Sequence, residues 1–295
     1  MQLIKSSFKI VEQEAPDSIN SIRKHIELCG RTCYKSTDKI KEGSSIEFVN
    51  RLINSKHFSV LEHGTIYLTI PKKNVLLTMH QEKFDWVFSN PYTKVNQTPD
   101  NYYITTNYRV IIENNYLDIL EYITQKTEYH EQRVSVKFIC SRAIANEFVR
   151  HRKFSFSQES TRYVNYSKDK FGNEITYIIP SWLDYSIKDG DVYSYNTHID
   201  LWQKSEDANT SNFLQSIAFA EKNYMTLISN GWKPEQARDV LPLCTKTELI
   251  VTGFISDWKE FFNQRVLGTT GAPHIEAKLL AEPLMNQFKQ RFNYE

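Results

Sequence analysis

The sequence has no long apolar run, no repeat, no glycine- or serine-rich tract and almost no net charge. No stretch approaches the roughly eighteen consecutive apolar residues of a membrane-spanning helix, and residues 1–16 lack the apolar core of a secretion signal. A cytoplasmic chain without membrane partners is therefore expected. Thirty-six Lys and Arg stand against thirty-five Asp and Glu, a formal charge of +1, so no broad field draws in nucleic acid and any basic site must be local. Nine glycines in 295 residues form no linker, and a hydrophobic fraction of 40% suffices for one sizeable core. Cysteine is scarce. Cys29 and Cys33 lie four apart, Cys140 and Cys244 stand alone, and no further pair follows at zinc-site spacing. Reduced buried thiols are expected, and no metal.

Against this background one stretch is chemically dense. Arg150-His151-Arg152-Lys153-Phe154-Ser155-Phe156-Ser157-Gln158-Glu159-Ser160-Thr161-Arg162-Tyr163 carries four Lys or Arg and one acid between Arg150 and Arg162. Arginine recognises phosphate in a planar two-point geometry, and hydroxyls and amides fix its orientation. The competing reading is a solvated basic face, but such faces favour Lys and Glu at helical spacing, whereas this run alternates Arg, aromatic and hydroxyl residues. A confined site for a phosphorylated small molecule fits better than a non-catalytic nucleotide or single-stranded RNA-binding module that uses the same cations with Tyr and Phe as stacking surfaces.

The periodicity predicts one α+β domain over 1–295, with a sheet flanked by long helices. Strands are expected over 8–12, 65–70, 134–140 and 175–179, and residues 102–112 read as one long strand or a pair. Helices are expected over 17–34, with Ile19, Ile22, Ile26, Cys29 and Cys33 recurring at three and four, and over 44–55, with a serine able to cap its start. A short helix is expected over 117–124, and Ser141 should cap another that runs to Val149. Glu147, Arg150 and His151 then lie three and four apart at its end, where a carboxylate and two cations can share one ligand. Residues 184–207 read as loop before a long helix with Phe213, Ile217, Ala220, Tyr224, Leu227 and Ile228 on one face. Pro234 opens a short helix holding Arg238, and the last helix is expected over 247–265, ending an aromatic stripe of Phe254, Trp258, Phe261 and Phe262 at Arg265.

Residues 56–63 read as a polar loop, with two His, one Ser and one Glu but no third metal ligand beside them. Ser160 lies near His151, yet a serine nucleophile needs an oriented base and a tight Gly-x-Ser-x-Gly turn, and neither is present. Cys244 stands alone and is read as structural.

Arg150-His151-Arg152, seven residues, then Ser160-Thr161-Arg162-Tyr163 resembles the signature of the flavin-dependent thymidylate synthases. His57-Phe58-Ser59-Val60-Leu61-Glu62-His63 is similar to that family's flavin loop, and Arg238 in Ala-Arg-Asp-Val-Leu-Pro and Arg265 match two further positions. The resemblance implies reductive methylation of dUMP to dTMP without an enzyme nucleophile. Methylenetetrahydrofolate would give the carbon, FAD the hydride and NADPH the reducing equivalents, in a homotetramer with shared active sites. It implies that Glu147, Arg150, Gln158, Glu159, Ser160, Thr161, Arg162, Arg238 and Arg265 bind the nucleotide. Ser59, Glu62, Arg150, His151, Arg152, Gln158, Ser256 and Glu260 would bind FAD, with His57 and Arg265 catalytic. The chain departs from the family where Phe254-Ile255-Ser256 replaces an Asn-x-Arg triplet and where Glu260 replaces a neutral or His side chain. Asn107 and Arg109, in a probable insertion at 71–131, are expected to reach the cofactor from another direction.

Overall fold

The structure is a computed structural model that describes residues 1–78, 81–168, 172–183, 193–194 and 207–292. Strands β1 (Gln2–Ile4) and β2 (Ser7–Val11) precede helices α1 (Ile19–Cys33) and α2 (Ser44–Asn54). Ser18 caps α1 by accepting from Ser21 N, and Ile22, Ile26 and Cys29 form its buried stripe. No serine caps α2. Gly43, at φ 77°, precedes it in the left-handed region, and the Ser44 hydroxyl turns to the Glu27 carboxylate at 2.9 Å instead.

Residues Phe58–His63 form a 3-10 turn rather than the expected polar loop, and Leu61, Glu62 and His63 are buried. Leu61 joins the apolar cluster of α1 and α2 and so carries its polar neighbours inward. β3 (Thr65–Pro71), α3 (Lys72–Thr78), α4 (Gln81–Phe88), β4 (Lys94–Gln97), β5 (Asn101–Asn107) and α5 (Tyr108–Glu113) follow. The strand expected over 102–112 stops at Asn107, because that side chain accepts from Val110 N and starts α5. A 3-10 turn over Leu117–Tyr122 stands where a short helix was expected. Three antiparallel strands in the order β3-β5-β4 place Ile104, with Phe84, Val87 and Ile111, against Ile22, Ile26 and Phe48. The 71–131 segment thus shares the core of α1 and α2.

Next come β6 (Arg133–Ser141), α6 (Arg142–Phe148), β7 (Ser155–Gln158), β8 (Thr176–Ile178), β9 (Tyr193–Ser194), α7 (Ala208–Ser229) and α8 (Pro234–Ala237). Ser141 caps α6 as expected, accepting from Ile144 N. The loop expected over 184–207 lies outside the described residues apart from β9 and Asp207, which caps α7.

The single helix expected over 247–265 is two elements, β10 (Lys246–Phe254) and α9 (Ile255–Arg265), and a further helix, α10 (Ile275–Arg291), follows. Helical spacing of the aromatics holds only from Phe254 onward. Before it, Leu249, Ile250, Val251 and Thr252 are rich in β-branched residues and buried on both faces of a sheet.

The expected single sheet is resolved into three among the described residues, the others being the β3-β5-β4 sheet and a small one ordered β8-β1-β9 packed on α7. The central sheet runs β2-β6-β10-β7, all antiparallel, with Ser135 opposite Thr252 and Gln158 opposite Leu249. One face is apolar, with Val134, Val136, Phe138, Leu249 and Val251 under Trp258, Phe261 and Phe262 of α9 and Leu284 and Phe288 of α10. The other face, toward α1, is polar for a buried surface. His25 Nε2 lies 3.0 Å from Ser135 Oγ, Ser135 Oγ 2.6 Å from Thr252 Oγ1, and Thr252 Oγ1 2.8 Å from His63 Nδ1.

Candidate functional site

The C-terminal ends of α6 and α9 meet, because α6 and α9 both turn back across the sheet from β6 and β10. Arg265 closes that junction. Its Nε donates to His151 Nε2 at 3.1 Å, one terminal nitrogen donates to the Glu147 carboxylate at 2.8 Å, and the other to Glu147 O at 2.9 Å. A guanidinium has five N–H donors, so two remain for a ligand. The bond to Nε2 requires that atom to be an acceptor, hence a neutral imidazole with its proton on Nδ1. Burial, then the Arg265 charge, pushes His151 down to about 4, against a smaller upward pull from Glu260. Its ring packs on Phe261, with centroids 5.0 Å apart.

α6 ends at Phe148, so Arg150 and His151 stand in the turn beyond it rather than on its face, and it is Arg265 that joins Glu147 to His151. Arg150 and Arg152 are exposed, and among the described residues neither has an ion-pair partner. Lys153 pairs with Glu260 at 2.8 Å on the surface, a contact worth little in water. Phe154 is buried, and Gly253 is the reason it fits: a Cβ there would stand 2.2 Å from the Phe154 ring.

A second group lies past the end of β7. Gln158 Nε2 donates to Thr247 Oγ1 at 3.4 Å, Ser160 Oγ accepts from Arg162 N, and Thr161 is buried. Arg162 Nε donates to Glu235 of α8 at 3.0 Å, and Arg238 directly follows α8. Glu159 is buried beneath them, its carboxylate taken by Lys246 at 2.7 Å and the Tyr166 hydroxyl at 3.2 Å. Among the described residues no hydrogen bond or ion pair links this group to Arg265, Glu147 and His151.

The third group sits on the 3-10 turn. His57 and Ser59 are exposed, while Glu62 pairs with Arg109 at 2.6 Å, and Arg109 also grips Glu113. These carboxylates hold the Arg109 guanidinium above its usual value, Glu113 contributing most. Asn107 is a buried helix cap. Ser256 is engaged by the Glu131 carboxylate.

Several residues here were not singled out in the sequence. Arg133 is buried without a carboxylate within ion-pair distance among the described residues, donating to Glu62 O at 3.1 Å and Thr65 Oγ1 at 3.2 Å. Burial pushes it down to about 10. Lys246 and Glu248 were hidden by the helical reading of 247–265, since only a strand puts positions two apart on one face. All four cysteines are free thiols, and burial pushes Cys140 up to about 12 and Cys244 up to about 11. Neither is poised as a nucleophile.

An α/β protein with an arginine-rich loop at two helix ends is the class this arrangement defines. The sequence pattern of the family described as "Thymidylate synthase complementing protein" matches residues 126–292, more than half the chain, and the chain belongs to that family, the flavin-dependent thymidylate synthases. The flavin-dependent thymidylate synthase of Pyrococcus furiosus is 31% identical over 127 residues, 43% of each chain. That of Mycobacterium avium is 23% identical over 246 residues, 81% of this chain and 66% of its own. The chain therefore spans less than two thirds of the length of these relatives. A solved UMP/dUMP methylase of Streptomyces cacaoi, bound with 5-Br dUMP, aligns over 98% of this chain and 93% of its own at 16% identity and a TM-score of 0.44. No helix among the described residues is long and apolar enough to cross a membrane.

Proposed function

We propose that the chain methylates dUMP to dTMP as a flavin-dependent thymidylate synthase, with methylenetetrahydrofolate as carbon donor and NADPH as reductant of FAD, in a homotetramer. The observation that carries the reading, beside family membership, is Arg265. It is oriented by Glu147 and by a neutral His151, largely withdrawn from water, and keeps two N–H groups unengaged. Such a group favours negative charge on a pyrimidine ring and so raises the nucleophilicity of its carbon 5 without a covalent enzyme adduct. Ser160, Thr161, Arg162 and Arg238 are the nucleotide's phosphate partners in this reading, since hydroxyls and a guanidinium on one loop, with a second guanidinium after α8, suit a monophosphate.

Arg150 and Arg152, exposed and without ion pairs among the described residues, fit the diphosphate of FAD, with His151 between them in sequence; Gln158, at the end of β7, would hold the cofactor from the second group. Bound FAD would supply the hydride. Ser59, Glu62, Ser256 and Glu260 would also hold it; Glu62 and Glu260 would have to share their carboxylates with Arg109 and Lys153, and Ser256 to loosen its hold on Glu131. His57, exposed at the edge of the 3-10 turn, is assigned to the flavin ring.

The purified protein should show a flavin absorption spectrum and, with NADPH and methylenetetrahydrofolate, release tritium from carbon 5 of labelled dUMP. Arg265→Ala should keep flavin and lose about 100- to 1,000-fold in kcat. A colourless protein that binds single-stranded RNA in a salt-dependent way would replace this reading with the binding-module one.

A further inference from the structure

Beneath the Ser160–Arg162 loop lies a buried ion network. Lys246 Nζ, on β10, is 2.7 Å from one Glu159 oxygen and 3.0 Å from Glu248. Lys35, just past the end of α1, contacts Glu248 and stands 4.0 Å from Glu159, and Lys137 of β6 closes on Glu248 at 2.6 Å. Glu159 is 1% exposed and Glu248 7%. Three ammonium groups therefore face two carboxylates where water is scarce. Burial raises Glu248, but Lys246, Lys35 and Lys137 outweigh it and hold the carboxyl well below the usual range. Burial lowers Lys246, and Glu159 and Glu248 more than restore it.

Glu159 is the side chain by which the network contacts the loop. The second Glu159 oxygen accepts from Tyr166, seven residues on, so a single carboxylate ties both ends of the 159–166 segment to β10. Glu159 N donates to Glu248 O at 2.8 Å, and Ser160 N donates to Cys33 O at 3.0 Å, two residues before Lys35. Ser160 and Arg162 thus project from a base fixed by two backbone bonds and, through the Glu159 side chain, by the buried Lys246 and Tyr166 contacts. At its far end the segment is held separately, by the buried bond from Tyr166 N to the Tyr224 hydroxyl at 3.4 Å, whereas Arg162 itself bonds through Arg162 N to Ser160 Oγ and through its guanidinium to Glu235 on the surface.

We infer that Lys246, with Lys35, is a positioning residue: by holding Glu159 it presents Ser160, Thr161 and Arg162 to the phosphate of the nucleotide. This rests on the assignment of that loop to the monophosphate. A merely structural pair would affect all ligands alike, whereas a positioning pair controls only the share of affinity that the phosphate contributes.

The test compares binding of dUMP and deoxyuridine by titration calorimetry of flavin-loaded protein. Wild type should prefer the nucleotide, and Lys246→Met should cut that preference about tenfold or more while deoxyuridine affinity and flavin occupancy stay within about twofold. Lys246→Arg, which keeps the cation, should restore most of it. If Lys246→Met is insoluble, Glu159→Leu/Lys246→Met removes the two charges together and carries the same expectation. A preference unchanged in the variant overturns the positioning role. Equal affinity of wild type for dUMP and deoxyuridine overturns the phosphate assignment itself, and the inference with it.

Discussion

At the scale of single residues, charge state is set by burial. His25 and His63 are both fully enclosed, pushed down to about 4 and about 3 by burial first, then by Arg133 for His25 and by His25 and Arg133 for His63. Unfolding returns each to its ordinary value near 6.5. Between those limits the unfolded chain binds more protons than the fold, so stability rises with pH and is lost as pH falls from about 6.5 toward 4. Urea midpoints measured across that window should decline on acidification, and His63→Gln should flatten the decline by on the order of 1–3 kcal/mol. An unchanged slope would mean that His63 does not titrate between the two states. The signature residues from Arg150 to Arg162 were legible because their chemistry is local in sequence. Arg133 was not, because its role depends on Glu62 O and Thr65 Oγ1, which only the packed turn brings to it.

At the scale of elements, β10 carries the most consequence and was the least legible. Its residues are buried on both faces, so period-two alternation is absent, and the aromatic stripe of α9 extends backward over it on a helical count. The strand matters because Gly253 lets the Phe154 ring lie on it, which fixes the turn holding His151 and Arg152. Phe154 also packs on Trp258, centroids 4.7 Å apart, linking that turn to α9 and hence to Arg265. Gly253→Val would force the ring away, costing about 1–3 kcal/mol of stability. Flavin occupancy should fall with it, whereas Gly253→Val in a Phe154→Ala background should regain part of the loss. Equal losses in both backgrounds would detach the glycine from the loop. By contrast α1 and α6 were read nearly to the residue, because the apolar spacing of α1 matches its buried stripe and Ser141 caps α6, each helix facing an apolar cluster of its own.

At the scale of the whole molecule, the chain divides the cations that the proposed function assigns to the nucleotide. Arg265, with Glu147 and His151, closes the junction of α6 and α9; Arg162 and Arg238 lie past the end of β7 beside α8, and among the described residues no hydrogen bond or ion pair joins the sets. In the proposed function the monophosphate and pyrimidine of one nucleotide need both, and an isologous interface can supply each from a different copy. That assembly follows from the proposed function and has a sharp consequence. Arg162→Ala and Arg265→Ala should each abolish dTMP formation alone. If the copies share sites, mixing the two inactive proteins under conditions of subunit exchange should restore activity at about a quarter of the sites, those that combine two intact halves. Continued inactivity in a mixture shown by mass to have exchanged would place both arginines of each site in one chain, and the loop at 159–166 would then have to swing toward α9 on binding.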